Sequence, residues 1–197
     1  MNPRMDMRQA VAAVHAARSE TDVVITSMGT AREWTAMGPL HPLDWVYVPS
    51  AMGHAASLGL GLALAQPQRR IVVMMGDGSL LMSLGSLATI AAERPPNLVV
   101  LVFDNGIYEI TGAQPTPATA DAKASRVDFA TVARACGIES VHTFAEFAAW
   151  KTGLAHLLSG RGPTVAVLSV APVPGAGGPR SPGPTSARGA AFMAALR

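Results

Sequence analysis

The sequence predicts an α/β fold: a doubly wound, mainly parallel sheet with helices on both faces. Three observations predict it. Apolar runs recur along the chain and are continuous rather than alternating, as in strands covered on both faces. Stretches of helical length and composition separate them. Of 197 residues, 49% are hydrophobic and only 14% charged, so a large apolar area must be buried in a sheet or against another subunit. Strand alternating with helix leads to parallel strands with right-handed crossovers.

The elements follow in order. "MRQAVAAVHAARS" is a leading helix, and "DVVITSMG" (Asp22–Gly29) and "DWVYVPS" (Asp44–Ser50) are the first two strands. "GHAASLGLGLALAQ", rich in Ala and Leu, is the next helix, followed by the strand "RIVVMMG" (Arg70–Gly76). "SLGSLATIAAER" is helical and leads to the strand "NLVVLVFDN" (Asn97–Asn105). "DFATVARACG" and "FAEFAAWKTGLAHLL" each carry an apolar face at three- and four-residue spacing. "TVAVLSV" (Thr164–Val170) is the last strand. Residues 1–171 thus form one domain. The Pro- and Gly-dense "APVPGAGGPRSPGPTSARG" cannot form a regular element, so 172–197 reads as a tail ending in a short helix, "AAFMAALR". That tail is either disordered or ordered against a partner subunit or over a site.

Composition narrows the function classes. Net charge is only +2 and no Lys/Arg run carries interleaved aromatics, which argues against nucleic acid. The single cysteine, Cys136, excludes an internal disulfide framework and a Cys-based zinc site. No run has the length of a membrane span, and "MNPRMDMRQA" lacks the apolar core of a signal peptide. A cytoplasmic chain with no membrane partner is expected.

Chemistry gathers at two strand ends. Ligands of open parallel sheets bind at the carboxyl ends of the strands. One strand ends in Gly76-Asp77-Gly78-Ser79, another in Asp104-Asn105-Gly106. The glycines let the backbone approach a phosphate closely, and a helix opening directly after them offers amides to an anion. Asp77 and the Asn105 side chain are hard oxygen donors suited to magnesium, which bridges phosphate oxygens. Gly-Asp-Gly alone is equally a turn or a helix cap. The two loops together favour a magnesium–diphosphate clamp.

The span "GDGSLLMSLGSLATIAAERPPNLVVLVFDNGIY" resembles the signature of the thiamine diphosphate-dependent enzyme family. The spacing from Asp77 to Asn105 matches that family, although Asp104 stands where a first Asn is common. The resemblance implies a diphosphate-binding C-terminal domain of the thiamine diphosphate-binding fold. It further implies that Asp77, Asn105 and the Ile107 carbonyl bind Mg2+, with Gly78 and Ser79 on the diphosphate. "SMGTARE" resembles the loop after the first strand, bringing Gly29 and Thr30 to the diphosphate. "PSAMGHAASLGLGLA" resembles the aminopyrimidine stretch. There Met52 would prop the cofactor into its bent form, ordinary core packing being the other reading, and the Ser50 carbonyl would meet the pyrimidine where Gly is more usual.

The similarity runs from about Thr21 to Val170. It is closest to the branch with the sulfopyruvate decarboxylase β subunit and the corresponding half of phosphonopyruvate decarboxylase, "GAQPT" (Gly112–Thr116) being its most specific piece. Gln114 and His54 are candidate catalytic residues, each with a purely structural alternative. Arg32, and less so Lys123 and Arg126, are candidate cations for an anionic substrate group.

In this family the thiamine ring adds to the carbonyl of a 2-oxo acid and accepts the electrons left when carbon dioxide departs. A glutamate on a pyrimidine-binding domain activates the cofactor. The length leaves no room for that domain, and neither Glu33 nor Glu109 has its context. The resemblance therefore implies a lyase: the β subunit of a 2-oxo acid decarboxylase, completed by a separate α subunit in an α2β2 or larger assembly. A carboligase or oxidoreductase subunit of the same superfamily, acetolactate synthase-like, is the alternative. So is a non-catalytic thiamine diphosphate-binding module.

Overall fold

A computed structural model describes residues 4–47, 52–117, 127–173 and 175–197. Ser50, Lys123 and Arg126 lie outside the described residues. In chain order the elements are α1 (Met7–Ala17), β1 (Val23–Ser27), α2 (Met28–Thr35), β2 (Asp44–Tyr47), α3 (Ala55–Ala65), β3 (Ile71–Gly76), α4 (Asp77–Met82) and α5 (Ser86–Glu93). There follow β4 (Leu98–Asp104), β5 (Ile107–Tyr108), β6 (Gln114–Pro115), α6 (Phe129–Ala135), β7 (Ser140–Phe144), α7 (Phe147–Ser159), β8 (Thr164–Ser169) and α8 (Thr185–Ala195). A six-stranded sheet runs in the order β2-β1-β3-β4-β8-β7 with every pairing parallel, and β5 and β6 form a small antiparallel pair beside it.

The strands are apolar on both sides because both sides are covered. Ile25, Val73, Val100 and Val165 face one core with Leu60 of α3, Ile90 of α5 and Phe129 of α6. Val24, Val72, Leu101 and Ala166 face the other with Val11 of α1, Trp34 of α2 and Trp150 of α7. Gly59 brings α3 down onto the sheet: a Cβ there would lie 2.3 Å from Val73 Cγ2. Among the described residues no helix is long and apolar enough to cross a membrane.

Four local differences from the sequence expectations have physical causes. The first strand stops at Ser27, and Met28 takes a left-handed φ of 53° to start α2, so Gly29 and Thr30 belong to a helical first turn rather than to a strand end. The expected turn at Asp77 is already helical. A break after Met82 divides the segment into α4 and α5, with Ser83 at φ −141°. The strand β7, "SVHTF", was not anticipated: it is an edge strand in which only Val141 is buried, so its apolar signal is short. Finally, the terminal helix begins at Thr185, five residues before "AAFMAALR". Its Phe192 ring packs 5.3 Å from Trp45, and Phe192 and Leu196 join the core.

Candidate cofactor and metal site

The topology locates the site. From β1 the chain moves outward to β2, then crosses back to place β3 on the other side of β1. At such a reversal the connections leave in opposite directions and open a crevice at the carboxyl ends. Register Thr26↔Met74 and Gly76↔Phe103 sets the ends of β1, β3 and β4 side by side. Asp77, Asn105 and the first turn of α2 therefore meet although far apart in sequence.

They surround a cleft of about 530 Å³ including its open mouth, a size suited to a small-molecule ligand. Its two sides differ. Met7, Met28, Met52 and Met82 supply a soft apolar wall. Thr30, Asp77, Ser79 and Asn105 supply polar groups, with Gly29, Gly78 and Ile107 also at the lining. Met52 is 40% exposed, so it is not a core residue in this chain. The Thr30 hydroxyl accepts the Ser27 N–H at 3.2 Å and lies 2.8 Å from the Ser27 and Met74 carbonyls, which ties α2 to β3. The Ser79 hydroxyl accepts the Gly53 N–H at 3.2 Å, joining the segment after Met52 to the Gly-Asp-Gly turn. Gly78 is packed under a ring: a Cβ there would sit 2.7 Å from Tyr108 Cδ1.

Asp77 is the electrostatic centre. It is 1% exposed. Burial, reinforced by the neighbouring Asp104 carboxylate, pushes its carboxyl up to about 6, against the lowering effect of the Thr116 hydroxyl and the Gly78 N–H. Thr116 Oγ1 donates to Asp77 Oδ2 at 2.9 Å. No ion pair among the described residues includes Asp77. A buried carboxylate with a like-charged neighbour and no cationic partner is the setting that a bound cation relieves. Nearby Asn105 Oδ1 accepts the Ile107 N–H at 3.0 Å and keeps a second lone pair. Among the described residues no group of three His, Cys, Asp or Glu side chains could hold a metal. The donors on offer are one carboxylate, one amide and main-chain carbonyls, hard oxygens that suit magnesium with water and phosphate completing its shell.

Several expected residues stand elsewhere. His54 is exposed, with Nδ1 3.0 Å from the Met52 carbonyl. Gln114 is exposed and its Nε2 donates to the Thr111 carbonyl at 3.2 Å. Neither lines the cleft. Arg32 is engaged by two carboxylates, Glu33 at 2.8 Å and Glu109 at 3.1 Å, which offsets the charge it would offer an anionic substrate.

Sequence reasoning missed Thr116, Tyr108 and Arg4, whose Nη1 donates to the Asn105 carbonyl at 3.0 Å, and weighed Glu109 only as the activating glutamate. Within "GAQPT" the residue that reaches the centre is the buried Thr116, not Gln114. Its position beside a proline at the end of a short hairpin was the one available signal.

The chain is similar to several known proteins. The chain is 45% identical over 154 residues to a phosphonopyruvate decarboxylase of Streptomyces hygroscopicus, covering 76% of this chain and 35% of that protein. It is 41% identical over 125 residues to the sulfopyruvate decarboxylase subunit beta of Methanothermobacter thermautotrophicus, covering 62% of each. The chain thus spans about a third of the first relative and under two thirds of the second. A solved structure, the thiamine diphosphate-dependent 4-hydroxybenzoylformate decarboxylase of Rhodococcus jostii RHA1, superposes with a TM-score of 0.70 at 20% identity, covering 87% of this chain and 33% of that one; this likeness concerns the fold. Residues 22–168 match the family model of the thiamine pyrophosphate enzyme C-terminal TPP-binding domain, and the chain belongs to that family.

Proposed function

We propose that this chain is the β subunit of a thiamine diphosphate- and magnesium-dependent 2-oxo acid decarboxylase, sulfopyruvate- or phosphonopyruvate-like. The catalytic glutamate is contributed by a separate α subunit carrying the pyrimidine-binding domain. The observation that carries the reading is Asp77, buried beside Asn105 at the crevice of a thiamine pyrophosphate-binding domain, with no ion-pair partner among the described residues.

In this reading Asp77, the Asn105 side chain and the Ile107 carbonyl hold Mg2+, and Thr116 keeps the Asp77 carboxylate turned toward it. Gly29, Thr30, Gly78 and Ser79 line the diphosphate, while the methionine wall, Met52 above all, backs the apolar rings and excludes water. Thiamine diphosphate, when bound, supplies the carbon nucleophile and the electron sink for loss of carbon dioxide. His54 and Gln114, exposed and close in sequence to the lining residues Met52 and Thr111, face the substrate from the partner's side. The names of the relatives support the substrate class: both are decarboxylases of three-carbon 2-oxo acids with an anionic substituent.

The test is release of carbon dioxide from sulfopyruvate, phosphonopyruvate and pyruvate. The chain is assayed alone and after co-expression with a candidate α subunit from the adjacent reading frame. Turnover is expected only with both chains. Normal turnover by this chain alone would refute the split site. Thiamine diphosphate and magnesium binding that survives Asp77→Ala unchanged would overturn the site itself.

A further inference from the structure

Glu109 opens the 3-10 turn Glu109–Thr111 after β5 and lines the cleft with a side chain only 5% exposed. The metal and diphosphate contacts assigned above give it nothing to do. Donors from three separate parts of the chain nevertheless converge on its carboxylate. Oε2 accepts from Arg32 Nη1 of α2 at 3.1 Å. Oε1 accepts from the main-chain N–H of Val173, just past β8, at 2.6 Å. Asn105 Nδ2 donates to the same oxygen at 3.4 Å. A Cβ on Gly29 would lie 3.1 Å from Oε2, so the start of α2 passes close beside the carboxylate as well.

The chemistry of these contacts is directional. An ionised carboxylate only accepts hydrogen bonds, whereas an amide side chain carries one donor end and one acceptor end. Facing Glu109, Asn105 must therefore present its NH2 group. Its oxygen is then turned the other way, where it accepts the Ile107 N–H and keeps a lone pair for a cation. With a donor at position 109 the NH2 group would lose its acceptor and meet another N–H, leaving the Ile107 N–H alone to hold the amide oxygen in this orientation. The same oxygen of Glu109 pins Val173 and so the beginning of the segment leading to α8. At its far end that segment is seated by Arg188, which donates to the Val46 carbonyl at 2.7 Å and stacks 5.2 Å from the Trp45 ring.

We propose that Glu109 is a positioning residue: it orients Asn105 as an oxygen donor to the metal and couples that orientation to the seating of the C-terminal segment at Val173. This rests on the assignment of Asp77 and Asn105 as metal ligands. It predicts that metal affinity falls when position 109 can donate, although no direct ligand is removed. Residues that orient ligands typically change metal affinity by about 10- to 100-fold.

The test uses the full chain with thiamine diphosphate and Mn2+ as the probe, free Mn2+ being read by electron paramagnetic resonance and folding by circular dichroism. Asp77→Ala, Asn105→Ala, Glu109→Gln and the double variant Asn105→Ala/Glu109→Gln are compared. Glu109→Gln is expected to weaken Mn2+ binding about tenfold or more. In the Asn105→Ala background it should add nothing, because there is no amide left to orient. In the metal-free chain, Glu109→Ala should speed hydrogen exchange at the Val173 amide at least tenfold, since that N–H loses its acceptor.

Affinity within twofold for Glu109→Gln, or additive losses in the double variant, would overturn the orienting role. Unchanged exchange at Val173 would overturn the coupling. If Asp77→Ala bound Mn2+ as well as the unchanged chain, the ligand assignment and this proposal would fall together. A loss in Asp77→Ala with none in Glu109→Gln would refute the Glu109 proposal alone.

Discussion

The stability of the unliganded chain with Asp77 replaced by Asn, relative to the parent, should be more favourable at pH 8 than at pH 5. The carboxyl stays protonated up to about 6 in the folded chain, against 3.8 as its ordinary value. A raised folded-state pKa means that the group's stabilising contribution is fully present below the unfolded value and is lost as pH rises through the folded one. The full span is about two pH units at 1.36 kcal/mol each, or about 3 kcal/mol. Linkage places about 1.4 kcal/mol of it between pH 5 and pH 8. Asp77 is 1% exposed, so solvent screening does not reduce this much.

The Asn variant carries no such titration. Its amide can still accept from Thr116, and its own NH2, buried without an assigned partner, costs about 1–3 kcal/mol at every pH. The readout is therefore the difference between variant and parent, followed across pH by urea denaturation without magnesium. It should shift in the variant's favour by about 1.4 kcal/mol from pH 5 to pH 8, or roughly 3–6 °C in Tm for a chain of this size. With magnesium and thiamine diphosphate added, the parent should gain stability and the variant should not. A difference that stays flat within about 0.3 kcal/mol across that range would refute the reasoning, since Asp77 would then need no cation to relieve it.

Thr116→Val removes the hydroxyl donor from Asp77 Oδ2; the carboxyl should rise further, and the magnesium concentration needed for half-maximal thermal stabilisation should increase about tenfold. Gly78→Ala puts a methyl where the Tyr108 ring lies at 2.7 Å. It should weaken thiamine diphosphate binding, read by calorimetry, and Tyr108→Leu in the same chain should recover part of it. Phe192→Ala empties the contact of α8 with Trp45. It should cost about 3 kcal/mol in urea denaturation, and a loss below about 0.5 kcal/mol would show that α8 contributes little to the core.

Much of the fold was legible because its signals are local. The continuous runs of β1, β3, β4 and β8 are apolar on both sides, so strand and double coverage were readable from composition alone. The Gly-Asp-Gly turn and Asn105 were readable for a similar reason: a strand end, small residues and a lone acid are properties of a few neighbouring positions. β7 was not readable, because an edge strand buries one side chain in a stretch that otherwise looks polar. The docking of α8 was not readable either, since its partner Trp45 belongs to the opposite end of the chain.

By itself the sequence determined most of the strands and helices in chain order, the parallel sheet, and the candidate carboxylate and amide that line the cleft at the carboxyl ends of β3 and β4. Only the tertiary structure decided what stands around them. Thr116 reaches Asp77 across 39 residues, Glu109 holds Val173 across 64, and Arg32 meets Glu109 across 77. No periodicity or spacing encodes such pairs. They arise where the chain reverses between β1 and β3, and a buried charge there takes its character from whichever groups the topology brings within hydrogen-bond distance.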